Sequence, residues 1–300
     1  MKKFTDICKM TQQEVKSYME KYLTSYEYKI ENHDGFLYAE GDVPVLLVAH
    51  MDTVHGELPT TITEVDGKIS SPQGIGGDDR CGIFIIMNLV KKLHCSVLLC
   101  EDEEKGGVGA RKFADSPFIK ELDVNYILEF DRMNSNDAVF YSCDNEEFTN
   151  FVTDFTGFKK AFGSFSDISV IAPKAKIAAV NLSCGYYRAH TVEEYVVYEE
   201  MMDTIKVAET LIKTECDKFE YIPRKETSWD YNYLSNYFNT PKRSSVTKDL
   251  DIEIEVIYSY DGSEEEIGYG KGRTKAEAWL DFFESYPDVC FSMIWDYSFC

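Results

Sequence analysis

Four short apolar runs constrain the fold of this chain more than any other feature. The first spans Val43 to Asp52 and reads VPVLLVAHMD; the others fall at 96–100 (SVLLC), 124–130 (VNYILEF) and 176–182 (KIAAVNL). Each is too short for an ordinary helix and rich in branched side chains. Such runs read as strands buried on both faces. Each then gives way abruptly to polar residues: His50 and Asp52, the acids 101–104, Asp131, and, a few residues after the fourth run, His190. Ligands of open α/β sheets bind beyond the carboxyl ends of the strands. Side chains alternate along a strand, so residues two apart, such as His50 and Asp52, point the same way.

Helical patterns separate the runs. Thr11 and Glu14 form a capping-box signature ahead of Val15, Tyr18, Met19 and Tyr22 at helical spacing. Residues 80–93 are helical and strongly apolar, and 193–214 form a long amphipathic pattern carrying Val197, Met201, Ile205, Ala208 and Ile212. Two strands are expected at 26–30 and 35–39, around an Asn-His-Asp-Gly turn, and a hairpin at 60–70 around Asp66-Gly67. Strands alternating with helices predict an α/β domain with a mixed, mostly parallel sheet. The composition changes after about Glu215, so residues 1–214 read as the catalytic unit. Residues 215–300 read as a small α+β appendage, with an alternating strand at 251–260 and a helix at 274–286.

Charge and cysteine usage narrow the function classes. A net charge of −22 repels nucleic-acid backbones and anionic membranes. The nine cysteines contain no C-x-x-C pair, which excludes zinc-ribbon and thioredoxin readings and suits reduced thiols in a cytoplasm. The start, MKKFTDICKMTQQEV, lacks the apolar stretch of a signal peptide, and no run reaches the roughly 20 apolar residues a bilayer requires. A cytoplasmic protein with no membrane or nucleic-acid partner is expected.

The polar residues beside the strand ends are His50, Asp52, Asp78, Glu103, Glu104, Asp131 and His190. Two imidazoles among several carboxylates form a donor set suited to two zinc ions, or to manganese or cobalt in their place. Adjacent acids such as Glu103 and Glu104 can divide two tasks, one as a ligand and one as a base.

In order, HMDTV, GIGGDDRCG, CEDEEKGGVGA, the run ending at Asp131, and RAHTVEE resemble the co-catalytic di-zinc aminopeptidase clan. That clan includes tripeptidase T, the tetrahedral aminopeptidases and the leucyl aminopeptidases. The resemblance spans about residues 43–212, and its specificity lies in five separated motifs in the right order. It implies a three-layer α/β/α fold with two Zn2+ ions as cofactors. It implies metal ligation by His50, Asp78 (as the bridge), Glu104, Asp131 and His190, with Asp52 orienting the His50 imidazole and Glu103 as the general base. The implied reaction is hydrolysis of an amide bond in a short peptide by a water held between the metals. Related members act as deacylases or carboxypeptidases on other small amides, which is the alternative reading. A catalytically idle binding protein on the same fold is a third.

The departures from the clan are informative. Only 58 residues separate Asp131 from His190, too few for the lid domain of the tripeptidase branch. The 25 residues between Asp52 and Asp78 hold only the 60–70 hairpin, where the tetrahedral branch carries a further domain. The layout is therefore the compact one. Without a lid histidine, Tyr186, Tyr187 or Arg188, placed just before His190, could serve the oxyanion. Ser166-Asp167 resembles a clan segment near the substrate pocket, with a helix N-cap as the alternative. His33, His55, His94 and Cys81 read as loop or packing residues. The stretch GYGKGRTKAEAWLDFF resembles part of a double-stranded-RNA-binding domain but lacks its basic cluster.

Overall fold

The computed structural model describes residues 2–163, 165–224, 252–258, 266–272, 285–286 and 294–299. It divides into two units, Met1–Arg224 and Lys225–Cys300. The first unit opens with α1 (Lys2–Cys8), α2 (Gln12–Thr24), β1 (Lys29–His33), β2 (Phe36–Glu40) and β3 (Val43–His50). A hairpin, β4 (Thr63–Val65) and β5 (Lys68–Ser70), leads to α3 (Gly77–Leu89), β6 (Cys95–Cys100), α4 (Val108–Asp115) and α5 (Phe118–Glu121). Next come β7 (Tyr126–Arg132), β8 (Asp137–Val139), α6 (Glu146–Thr156), β9 (Lys159–Ala161) and α7 (Asp167–Ala175). The unit closes with β10 (Ala179–Ser183), β11 (Tyr186–Tyr187), β12 (Tyr195–Val197) and α8 (Tyr198–Lys213).

Eight strands form the main sheet in the order β1-β2-β6-β3-β7-β10-β8-β9. The four apolar runs are its centre: β6, β3, β7 and β10 run parallel. The meander β1-β2 joins β6 antiparallel, and β8 joins β10 antiparallel. One sheet face, with Leu47, Ala49, Leu99 and Leu128, packs with α1, α2, α3 and α8. The other, with Leu46, Val48, Leu98 and Ile127, packs with α4, α5 and α7. Both faces are covered, which is why the runs are continuously apolar rather than alternating. The result is the expected α/β/α sandwich.

Towards the carboxyl edge the α4/α7 face changes character. Leu46 and Val48 are followed on it by His50, Leu98 by Cys100, Ile127 by Glu129 and Asp131, and Ala179 by Asn181. The register sets these side by side, with His50 opposite Cys100 and Glu129 opposite Asn181. Strand alternation thus converts the last row of a packing face into a row of polar side chains.

Several segments depart from expectation. The helix predicted from Glu193 starts at Tyr198, because Tyr195–Val197 form a strand on β5, with Val196 buried opposite Ile69. Aromatic and branched residues favour that extended course. Residues 215–224 run along the first unit: Phe219 N–H donates to Asn125 O (2.8 Å) and Ala178 N–H to Phe219 O (2.9 Å). The Phe219 ring lies against Tyr126, Phe148 and Phe151. Helices α1 and α6 and the short strands β8 and β9 were not expected.

In the second unit β13 (Ile252–Tyr258), β14 (Glu266–Gly272) and β15 (Ile294–Phe299) form an antiparallel sheet in the order β14-β13-β15. The strand predicted at 251–260 corresponds to β13. The helix predicted at 274–286 lies outside the described residues except for its last two. Among the described residues no helix is long and apolar enough to cross a membrane.

Candidate metal centre

β3 ends at His50, which is almost fully buried. Its Nδ1 lies 3.1 Å from Asp52 Oδ1, and its Nε2 lies 2.9 Å from Asp78 Oδ1 and 3.4 Å from Asp131 Oδ1. Asp131 comes from the neighbouring parallel strand β7. Its backbone N–H donates to Asn181 Oδ1 (2.9 Å), and its carbonyl accepts from the buried Tyr186 hydroxyl (3.0 Å).

The first turn of α3 is irregular. Gly76 sits in the left-handed region, Asp78 and Asp79 have non-helical backbone angles, and the peptide between them is cis. The two aspartates diverge. Asp79 faces the protein, accepting from His50 N–H (3.2 Å) and Gly82 N–H (2.7 Å). Asp78 faces the cluster, with Oδ1 towards His50 and Oδ2 3.2 Å from His190 Nε2. That same His190 nitrogen is 3.2 Å from Glu104 Oε1. One carboxylate thus has an oxygen on each side.

Asp52 joins the strand end to the acidic turn. Its Oδ1 accepts Glu103 N–H (3.0 Å) and its Oδ2 accepts Glu104 N–H (3.1 Å), while Oδ1 also faces His50 Nδ1. This second task, holding the turn that carries Glu103 and Glu104, is not evident in the H-x-D motif. Sequence reasoning also missed Glu194, which is fully buried. Its carboxylate accepts Gly76 N–H (2.7 Å) and Asp78 N–H (3.0 Å) and pairs with His55 Nε2 (2.9 Å). The only available signal was an acid four residues after His190, inside an ordinary charge pair.

The three residues suggested for the oxyanion separate clearly. Tyr186 reaches Asp131, whereas Tyr187 donates to Glu200 (2.6 Å) and Arg188 pairs with Glu193. Ser166 donates to Glu129, and the adjacent Asp167 is fully buried with no N–H or O–H partner among the described residues. Burial raises the Asp167 carboxyl to about 6, while His50 and the Cys100 thiol pull it down.

Electrostatics follow from this crowding. Burial raises Glu103 to about 9; His50 opposes the rise, while Asp131 and Asp167 add to it. Burial and then Asp78 raise Asp131 to about 7, and the same two causes raise Glu104. Burial opposes charge on His190, but Asp78 and Glu104 hold it up at about 11. His50 is likewise carried well above its usual value by Asp131, Asp52 and Asp78, against the effect of burial. Bound cations reverse this logic, because they neutralise carboxylates that otherwise repel one another.

The donor set fits cations on geometry as well. Among the described residues Glu104 Oε1 is buried without a well-formed hydrogen bond, although it faces His190 Nε2 at 3.2 Å. Donor atoms of Asp78, Glu104 and His190 lie within 4.8 Å of one another, as do those of His50, Asp79 and Asp131 and those of His50, Glu103 and Glu104.

No family model and no curated protein matches this sequence. Solved structures do match it. Aminopeptidase PepT from Bacillus cereus superposes with a TM-score of 0.60 at 15% identity, covering 70% of this chain and 96% of that one. A tripeptidase from Staphylococcus aureus gives 0.57 at 12%, covering 70% and 96%. The chain has the fold of these peptidases. Pyrococcus horikoshii TET1 peptidase shares it, with a TM-score of 0.54 at 14% identity and coverage of 70% and 97%.

Proposed function

We propose that this chain is a zinc-dependent exopeptidase that releases amino-terminal residues from short peptides in the cytoplasm. The observation that carries the reading is the division of Asp78, one oxygen towards His50 and Asp131 and the other towards His190 and Glu104. His50 and Asp131 would hold one zinc ion and Glu104 and His190 a second, with Asp78 shared. Bound there, the two ions would polarise the scissile carbonyl and lower the pKa of the attacking water. Glu103 would take the water's proton and pass it to the leaving nitrogen. Asp52 would fix the His50 ring and the Glu103 backbone. Tyr186 would act on the Asp131 backbone.

Amine-end rather than carboxyl-end recognition is proposed from the likeness in fold to PepT and the tripeptidase. The seven described cysteines are all unpaired, in keeping with a reducing compartment.

The test is a panel of free and amino-blocked peptides, assayed with and without a chelator and with metal content measured. Cleavage of free peptides, lost on chelation, is expected, with two zinc ions per chain. Glu103→Gln should keep both metals and lose turnover by 10²–10⁴-fold. Retained turnover would remove Glu103 as the base, and cleavage confined to amino-blocked substrates would favour a deacylase.

A further inference from the structure

The Glu103 carboxylate makes no hydrogen bond among the described residues, so its aim depends on the course of its backbone. That course is unusual: the preceding residue, Asp102, lies in the left-handed region (φ 56°), which is unfavourable for a residue with a Cβ. The turn is held from one side by Asp52 and from the other by α2. Gln12 and Lys16 are one helical turn apart on α2 and so share a face. Gln12 grips Asp102 at two points: its Oε1 accepts Asp102 N–H (2.9 Å) and its Nε2 donates to Asp102 Oδ1 (3.3 Å). Lys16 is buried and donates to Glu101 Oε2 (3.0 Å) and to the His33 carbonyl. Glu101 Oε2 also accepts Gly35 N–H (2.7 Å), which ties the β1-β2 turn into the same assembly.

We propose that Gln12 and Lys16 are positioning residues for the base: with Asp52 they hold the 101–104 turn in the course that aims Glu103 into the metal centre. The inference rests on Glu103 being the base. It makes α2 part of the catalytic apparatus, although the helix supplies no group to the chemistry.

Three variants test it: Gln12→Ala, Lys16→Met, and the pair Lys16→Met with Glu101→Gln. Two readouts are needed, amide hydrogen exchange at Glu103 and Glu104, and kcat against KM with metal content and melting temperature recorded. Gln12→Ala should melt close to wild type with unchanged metal content, exchange the Glu103 and Glu104 amides about tenfold faster, and lose kcat about tenfold at constant KM, since small misplacements of a reacting group are costly. Lys16→Met strands the buried Glu101 charge and should lower the melting temperature; adding Glu101→Gln removes that charge. The paired variant should recover its melting temperature but not its kcat. Unchanged exchange in Gln12→Ala overturns the proposal whatever the activity, as does kcat returning with stability in the pair. If wild type cleaves no peptide, the exchange result still decides whether α2 holds the turn, while the peptidase reading falls by itself.

Discussion

Replacing Asp52 by asparagine tests the centre through a residue that is not itself a proposed ligand. The carboxylate accepts from Glu103 N–H and Glu104 N–H at 3.0 and 3.1 Å and faces His50 Nδ1 at 3.1 Å. Asparagine keeps the shape, but only its oxygen can accept. If that oxygen serves His50 and Glu103, the amide nitrogen meets the Glu104 N–H donor to donor. One charge-assisted bond is lost, at about 1.5–3 kcal/mol, and a second is weakened by loss of charge. The remaining oxygen still orients the imidazole, but less strongly. Partners of this kind typically account for about 10–100-fold in metal affinity. The expected result is about 2–3 kcal/mol less stability in the metal-free protein at pH 7 and a zinc dissociation constant raised by at least tenfold. Urea unfolding of the metal-free protein and competition with a chromophoric chelator measure the two. Burial works against the Asp52 charge, but His50 and the two backbone N–H groups win and lower its pKa. Its contribution is therefore present above the unfolded value near ~4 and lost as pH falls through the lower folded value. The gap between wild type and variant should thus be full at pH 7 and close in acid. A variant with wild-type zinc affinity and stability at pH 7 would refute the reasoning.

Other expectations concern the surroundings of the ligands. Glu194→Gln leaves at least one of Gly76 N–H, Asp78 N–H and His55 facing a donor, and should cost about 1–3 kcal/mol and weaken zinc binding. Gly109→Ala would place a Cβ 2.3 Å from Gly35 O and 2.6 Å from Glu101 N, both backbone atoms, and should cost about 1–3 kcal/mol or more by thermal unfolding. Zinc binding should release protons. His190, held at about 11, and His50, well above its usual value, are charged at neutral pH without metal, and a ligand imidazole must be neutral. Affinity should therefore rise with pH, up to about tenfold per unit for each proton displaced. Calorimetry in two buffers of different ionisation enthalpy reads the proton count directly, and equal heats would contradict the assignment.

The parts of this fold that were legible in sequence are those where one cause dominates. The four central strands are buried on both faces, so apart from Ser96 at the start of β6 no polar residue interrupts their pattern until the edge, and the edge residues His50 and Asp131 stand out. α3 was legible because it is packed from nearly every side. Legibility fails where contacts distant in sequence decide. Tyr195–Val197 could continue a helix by periodicity, but β5 offers an open edge and Val196 an inward position. Residues 215–224 look like the start of a polar tail until Phe219 is seen among Tyr126, Phe148 and Phe151. Asp78 and Asp79 are indistinguishable as letters. Only the irregular start of α3 turns one towards two histidines and the other towards backbone amides. Glu194 and Gln12 act on segments far from them in the chain, and no local pattern reports such a bond.

The polar row at the edge of the α4/α7 face has a consequence for how this site can tolerate change in length. His50 reaches the cluster because it is an even number of residues beyond Leu46 and Val48, which pack on that face. A single-residue insertion or deletion within the regular part of β3 would send His50 to the opposite face, under α3, and exchange the two packing sets as well. A two-residue change would preserve the facing while moving the donor along the strand. In β3 parity, more than composition, keeps the donor in place, whereas β7 carries a register shift beside Asp131 that already takes up one residue. The segment between Asp52 and the β4-β5 hairpin carries no such parity, and length can vary there beyond His55, which its pair with Glu194 holds in place.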